Sequence, residues 1–141
     1  MTNETQVRAA AKRFRAALVQ VKPTLDQNDH RLESLHAFPD GSCSEASGLL
    51  AVYLAHTGLG AWEVVSGGTP AGELGTHAWV EQDGLIVDIT ASQQGWPNKD
   101  VCICSGCSWH DQFGEETRVA AAVPAELADL YRRLESLADG L

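Results

Sequence analysis

The sequence predicts an α+β domain, in which a helix that begins at a solitary cysteine packs on a small antiparallel sheet, with flanking N- and C-terminal helices. Three observations lead there. Apolar residues recur at three- and four-residue steps from Val7 to Val21, from Ala46 to Leu54 and from Leu127 to Leu137. Two alternating segments, THAWVEQ and LIVDIT, flank Asp83-Gly84, a dipeptide suited to a type I′ hairpin turn. With 141 residues, 44% of them hydrophobic and 21% charged, the chain has the composition of one globular domain over residues 1–141. Its core is large enough to need neither a disulfide nor a metal.

In the first helix Val7, Ala10, Ala11, Phe14, Ala17, Leu18 and Val21 form the apolar stripe, Arg and Lys lie between them, and Pro23 closes the run. The stretch from Pro23 to Pro39 reads as a polar, irregular lead-in, with Leu32 and Leu35 spaced for a short helical turn. Ser42 and Glu45 make an S-x-x-E capping box, so a second helix is expected from Cys43 to about residue 57. Ala46, Leu49, Leu50, Tyr53 and Leu54 supply its buried stripe, and Gly58 is placed to end it in the left-handed conformation. Trp62, Val64 and Val65 suggest a short strand that ends at Gly67-Gly68, followed by a loop to about Gly75.

The hairpin turn sets a register. With Asp83 and Gly84 in the loop, Gln82 pairs with Leu85, Val80 with Val87, Trp79 with Asp88, Ala78 with Ile89 and His77 with Thr90. One face then carries Ala78, Val80, Val87 and Ile89, and the other carries His77, Trp79, Glu81, Ile86, Asp88 and Thr90. Beyond Thr90, ASQQGWPNKD is loop-like, VCIC suits a short strand, and CSWHDQF suits a turn of helix or an irregular segment. A last strand is expected over Arg118 to Val123, and Pro124 opens a final helix on which Leu127, Leu130, Tyr131, Leu134 and Leu137 keep helical spacing.

The charge balance narrows the partners. Ten Lys and Arg against 19 Asp and Glu leave a formal charge of −9. Five of the basic residues, Arg8, Lys12, Arg13, Arg15 and Lys22, lie on the first helix or just after it, where a solvated face is expected. Between Arg31 and Lys99 there is no Lys or Arg, and Glu33, Asp40, Glu45, Glu63, Glu73, Glu81, Asp83 and Asp88 fall within that interval. Such a surface repels phosphate, so nucleic acid is not an expected partner. The N-terminal residues lack the layout of a signal peptide and no apolar run is long enough to span a membrane, so a cytoplasmic protein with no membrane partner is expected. In a reducing compartment Cys43, Cys102, Cys104 and Cys107 are expected as thiols, ligands or a nucleophile.

Cys43, His77 and Asp88 carry the chemistry. A helix start offers a thiolate unpaired amides and the positive end of the dipole. His77 and Asp88 are diagonal neighbours on one hairpin face, within side-chain reach, so the carboxylate can orient the imidazole. That is the logic of a catalytic triad: Cys43 as nucleophile, His77 as base, Asp88 as orienter, with the Cys43 amide offered to an oxyanion. Competing bases are His36, His56 and, most seriously, His110, which Asp111 follows and which suits a second-layer or substrate contact. Trp79 shares the His77 face and either walls the substrate site or packs ordinarily.

FPDGSCSEASGLLAVYL, THAWVEQDGLIVDIT and SWHDQF together resemble the transglutaminase-like and papain-like cysteine enzyme superfamily, particularly its small bacterial members. The resemblance spans about residues 38–113 and preserves the order Cys, His, Asp. It implies a papain/transglutaminase-like core and an acyl-transfer enzyme (peptidase, amidase, deamidase or transglutaminase-like) that works through a thioester and needs no cofactor. A peptide, protein or small amide is the expected substrate. Ser44 stands where many members have an aromatic residue, and Cys102, Cys104 and Cys107 are not a superfamily feature. The alternative is a non-catalytic binding or interaction domain on the same scaffold, stabilised by zinc through Cys102, Cys104, Cys107 and His110. Those ligand types suit zinc, but four ligands within nine residues depart from the usual two separated pairs. The leading reading therefore assigns no metal.

Overall fold

The structure is a computed structural model that describes residues 3–29, 32–36, 38, 43–68, 76–90, 101–105 and 108–141. Helix α1 runs Glu4–Val21, and the Asn3 side chain caps it by accepting from the Gln6 amide at 3.1 Å. The seven predicted stripe residues are all buried. Pro23 stops the helix in a 3-10 turn, Lys22–Thr24. The suggested helical turn is α2, Glu33–His36, with Leu35 buried.

Helix α3 runs Cys43–His56. Ser42 lies outside the described residues, and so does its half of the capping box. Glu45 Oε2 is enclosed with no hydrogen-bond partner among the described residues. The C-terminal signal is realised: Gly58 has φ of 79°, its amide donates to Ala55 O at 3.1 Å, and Leu59 N–H donates to Leu54 O at 2.9 Å. Together these form a Schellman motif. A Cβ at Gly58 would meet no atom within 4 Å, so only the backbone conformation opposes a side chain there. Gly58→Ala is expected to lower stability by about 1–2 kcal/mol, measured by urea unfolding, from left-handed strain alone.

The sheet is five-stranded and antiparallel, in the order β4-β3-β2-β1-β5. Its strands are β1 Glu63–Gly68, β2 Thr76–Gln82, β3 Leu85–Asp88, β4 Cys102–Ser105 and β5 Gly114–Ala120. The β2–β3 turn has positive φ at both Asp83 (51°) and Gly84 (80°), as a type I′ turn requires. Its ladder pairs Gln82 with Leu85, Glu81 with Ile86 and Val80 with Val87, the expected register. The ladder stops there, short of the expected pairs from Trp79–Asp88 to His77–Thr90.

Two strand boundaries differ from expectation. β1 continues through Gly67-Gly68, because it is paired on both sides, and a bulge beside Ser66/Gly67 absorbs the irregularity. β5 begins at Gly114 rather than Arg118 and ends at Ala120, because pairing with β1 recruits GEETRVA as an edge strand despite its weak alternation. Arg118 ties this edge down, with Glu81 at 2.5 Å and Glu63 at 3.3 Å. The loop-like stretch 91–100 lies outside the described residues, and SWHD forms the single-turn helix α4, Ser108–Asp111. After Pro124 a 3-10 turn, Ala125–Leu127, precedes the last helix α5, Ala128–Asp139.

Helix α3 packs on β1 and β2, α1 packs against α3 and α5, and these helices share one core with one face of the sheet. Ala78, Val80, Leu85, Val87 and Ile89 point into their core, where the Phe14 and Tyr53 rings stack with centroids 5.0 Å apart. The other face is closed too: Val65, Trp79, Ile86 and Phe113 form a second buried cluster with Cys104 against it. The basic residues of α1 are not all a solvated face. Arg15 Nε donates to Ile89 O at 3.0 Å, and Lys22 Nζ, just past the helix, donates to Phe38 O at 2.8 Å, so both anchor backbone. Among the described residues no helix is long and apolar enough to cross a membrane.

Candidate active site

His77 sits near the start of β2 and Asp88 at the end of β3, so the hairpin brings them to the same end of the sheet. The His77 Nε2–H donates to Asp88 Oδ2 at 2.6 Å, and both side chains are fully buried. Cys43, the first residue of α3, is partly exposed and close enough to the His77 imidazole to favour its charged form. With Nε2 committed to Asp88, Nδ1 is the nitrogen left to face the thiol. α3 is held across the strand that carries the histidine by its apolar stripe and by Ser47 Oγ, which donates to Ala78 O at 3.3 Å. The three residues read from the sequence are thus brought together, with His77 in contact with Asp88 and influenced by Cys43.

The carboxylate has a second imidazole partner. His110, on α4, donates its Nε2–H to the same Asp88 Oδ2 at 2.8 Å and is 1% exposed. Asp88 Oδ1 accepts from the Thr90 amide at 2.9 Å, an Asx-type turn, and from Thr90 Oγ1 at 3.4 Å. The sequence marked His110 as a rival base; the structure sets it beside His77 on the same Asp88 oxygen, with the two imidazole centroids 6.3 Å apart. Nothing local in the sequence signals that contact, because it spans 22 residues and depends on α4 folding back over the sheet. The role of Thr90 was legible in principle, since D-x-T is the spacing of such a turn.

These contacts set the protonation states. Burial of His77 is the largest influence and favours the neutral ring. The hydrogen bonds and charges of Asp88 and Cys43 together outweigh it and push the imidazole up to about 9. For Asp88 burial favours the neutral acid, yet the hydrogen bonds from His110 and His77 and their charges hold the carboxyl below its usual range. His77 is therefore an imidazolium and Asp88 a carboxylate at neutral pH, with the Cys43 thiol against the cation.

Trp79 is 4% exposed, with its ring 4.9 Å from that of His110 and 6.0 Å from that of His77. Its indole N–H has no hydrogen-bond partner among the described residues. The other rival bases are engaged elsewhere: His36 Nε2 lies 2.9 Å from Asp26 O, and His56 Nδ1 lies 2.9 Å from Glu135 Oε2. Of the downstream cluster, Cys104 Sγ lies 4.0 Å from His110 Nδ1 and Cys102 is buried, while Cys107 lies outside the described residues. No family model, curated protein or solved structure matches this chain.

Proposed function

We propose that this chain is a cysteine-dependent acyl-transfer enzyme with a papain/transglutaminase-like core. The observation that carries the reading is the buried His77–Asp88 hydrogen bond aimed at a partly exposed thiol on the first residue of a helix. In the proposed cycle the Cys43 thiolate attacks an amide or ester carbonyl and forms the C–S bond. The oxyanion faces the Cys43 amide and the helix N-terminus. As the carbonyl reforms, the C–N or C–O bond breaks, His77 gives its proton to the leaving group, and a thioester remains. Water or an amine then attacks the thioester; His77 takes the proton of this acceptor, and the thiolate is regenerated with the imidazolium beside it.

Asp88 keeps the imidazole oriented and charged. His110 and Thr90 keep Asp88 in place, so both are positioning residues in this reading. No cofactor takes part. The absence of Lys and Arg between Arg31 and Lys99 favours a neutral or cationic acyl donor, such as a peptide, a protein side chain or a small amide. A cytoplasmic setting, where thiols stay reduced, suits the mechanism.

The test is site-resolved alkylation by iodoacetamide at pH 6, read by peptide mass spectrometry. An ordinary thiol of pKa about 8.5 is roughly 0.3% thiolate there, so an ion-paired Cys43 is expected to react about a hundredfold faster than the downstream cysteines. His77→Ala is expected to remove that advantage. A Cys43 no more reactive than Cys104 in the native protein rejects the nucleophile and favours the non-catalytic binding domain.

A further inference from the structure

The acyl-transfer reading uses only half of the buried network. Across Asp88 from His77, strand β4 projects Cys102 and Cys104, two residues apart, to the face that α4 covers. Their two sulfurs and a His110 ring nitrogen all lie within 4.8 Å of one another, with Cys104 Sγ 4.0 Å from His110 Nδ1. Around a tetrahedral zinc ion, with Zn–S near 2.3 Å and Zn–N near 2.0 Å, neighbouring ligand atoms stand roughly 3.5–3.8 Å apart. Side-chain shifts of less than about 1 Å would close the set.

We propose that Cys102, Cys104 and His110 form a binding site for a thiophilic divalent ion, with Zn(II) the best fit. Three features support it. The ligand types are two soft sulfurs and an imidazole, the set zinc favours. His110 already donates its Nε2–H to Asp88 at 2.8 Å, the carboxylate–histidine arrangement that orients metal-ligating imidazoles and fixes Nδ1 as the ligating atom. Two thiolates also neutralise a divalent ion, so the loaded site adds no net charge to a place where Cys102 is 2% and His110 1% exposed. Binding releases the two thiol protons to solvent; no electrons move. The fourth position of the ion is left to water or a further donor.

The neighbouring group of His77, Asp88 and His110 has its ligand atoms just as close. Its geometry argues against metal: both Nε2 atoms point at one carboxylate oxygen, at 2.6 and 2.8 Å, with hydrogens between. An ion needs about 2.0 Å to each ligand and has no room there. On the sulfur side the ion instead fixes the tautomer of His110, and through it the position of Asp88.

The site is tested by titrating the purified chain with Zn(II) against a chromophoric chelator and with Co(II) under ultraviolet-visible spectroscopy. One ion per chain is expected, with thiolate-to-Co(II) charge-transfer absorption in the wild type. Cys102→Ser and Cys104→Ser are each expected to weaken binding by more than about tenfold, at least the loss seen when an outer-layer partner is removed. Cys43→Ser is expected to bind as the wild type does. Absence of the charge-transfer band from the wild type overturns the site, and this needs no variant to fold. Undiminished binding in both downstream serine variants, or loss of binding in Cys43→Ser, overturns it as well. Alkylation of Cys43 after chelator treatment, when Cys102 and Cys104 carry no ion, reads the catalytic proposal separately.

Discussion

Replacing Asp88 by alanine is expected to destabilise the protein by about 3–5 kcal/mol, because removing one partner of a buried charged cluster leaves the others uncompensated. Both His77 and His110 lose their acceptor, and the Thr90 amide loses its own. In a domain of this size the change corresponds to a fall in melting temperature of about 10–20 °C. Asp88→Asn keeps the volume and one acceptor oxygen but sets an NH2 group against a donor, so it is expected to cost less stability and still abolish the enhanced reactivity of Cys43. Thermal unfolding followed beside alkylation separates the two effects. If Asp88→Ala unfolds within about 1 kcal/mol of wild type, the network is not the organising feature described above.

The share of stability that comes from the His77 proton, counted apart from the opposing titration of Cys43, is expected to fall by about 3 kcal/mol as pH rises from 6.5 to about 9, the span over which His77 titrates differently in the folded and unfolded chain. The folded state holds this proton more tightly. The contribution is therefore complete below 6.5, declines above it, and is lost as pH passes through about 9. Asp88 acts in the opposite sense: its carboxyl is held below the ordinary 3.8, so its contribution is present above that value and lost on acidification. Maximum stability thus lies between the two limbs. Urea unfolding at several pH values, with His77→Ala beside wild type, is the measurement. The alkaline slope should flatten in His77→Ala; an unchanged slope would assign it to other groups.

What was legible in the sequence was local. The α1 stripe, the start of α3 at Cys43, the left-handed stop at Gly58 and the type I′ register of the β2–β3 hairpin all follow from spacing and turn chemistry over a few residues. Because the hairpin is local, the pairing of His77 with Asp88 was legible too, at a separation of only 11 residues. The strand ends were less so. Gly67-Gly68 and GEETRVA have weak intrinsic strand preference, and they are strands because β1 lies between two partners.

Local pattern is enough to place the three long helices, to put the imidazole and the carboxylate on one face of the hairpin, and to start a helix at one cysteine. Tertiary structure decided the strand order, the approach of Cys43 to His77 across 34 residues of chain, and the burial of the polar hairpin face. It also decided that a second imidazole shares the Asp88 oxygen and that Cys102 and Cys104 gather beside it. The physical reason is the range of the forces that register in a sequence pattern. Periodicity, capping and turn preferences act over one or two turns of chain. The charge state of a buried carboxylate depends on which donors the folded layers bring within 3 Å, and those donors come from segments that meet only when the sheet is covered on both faces.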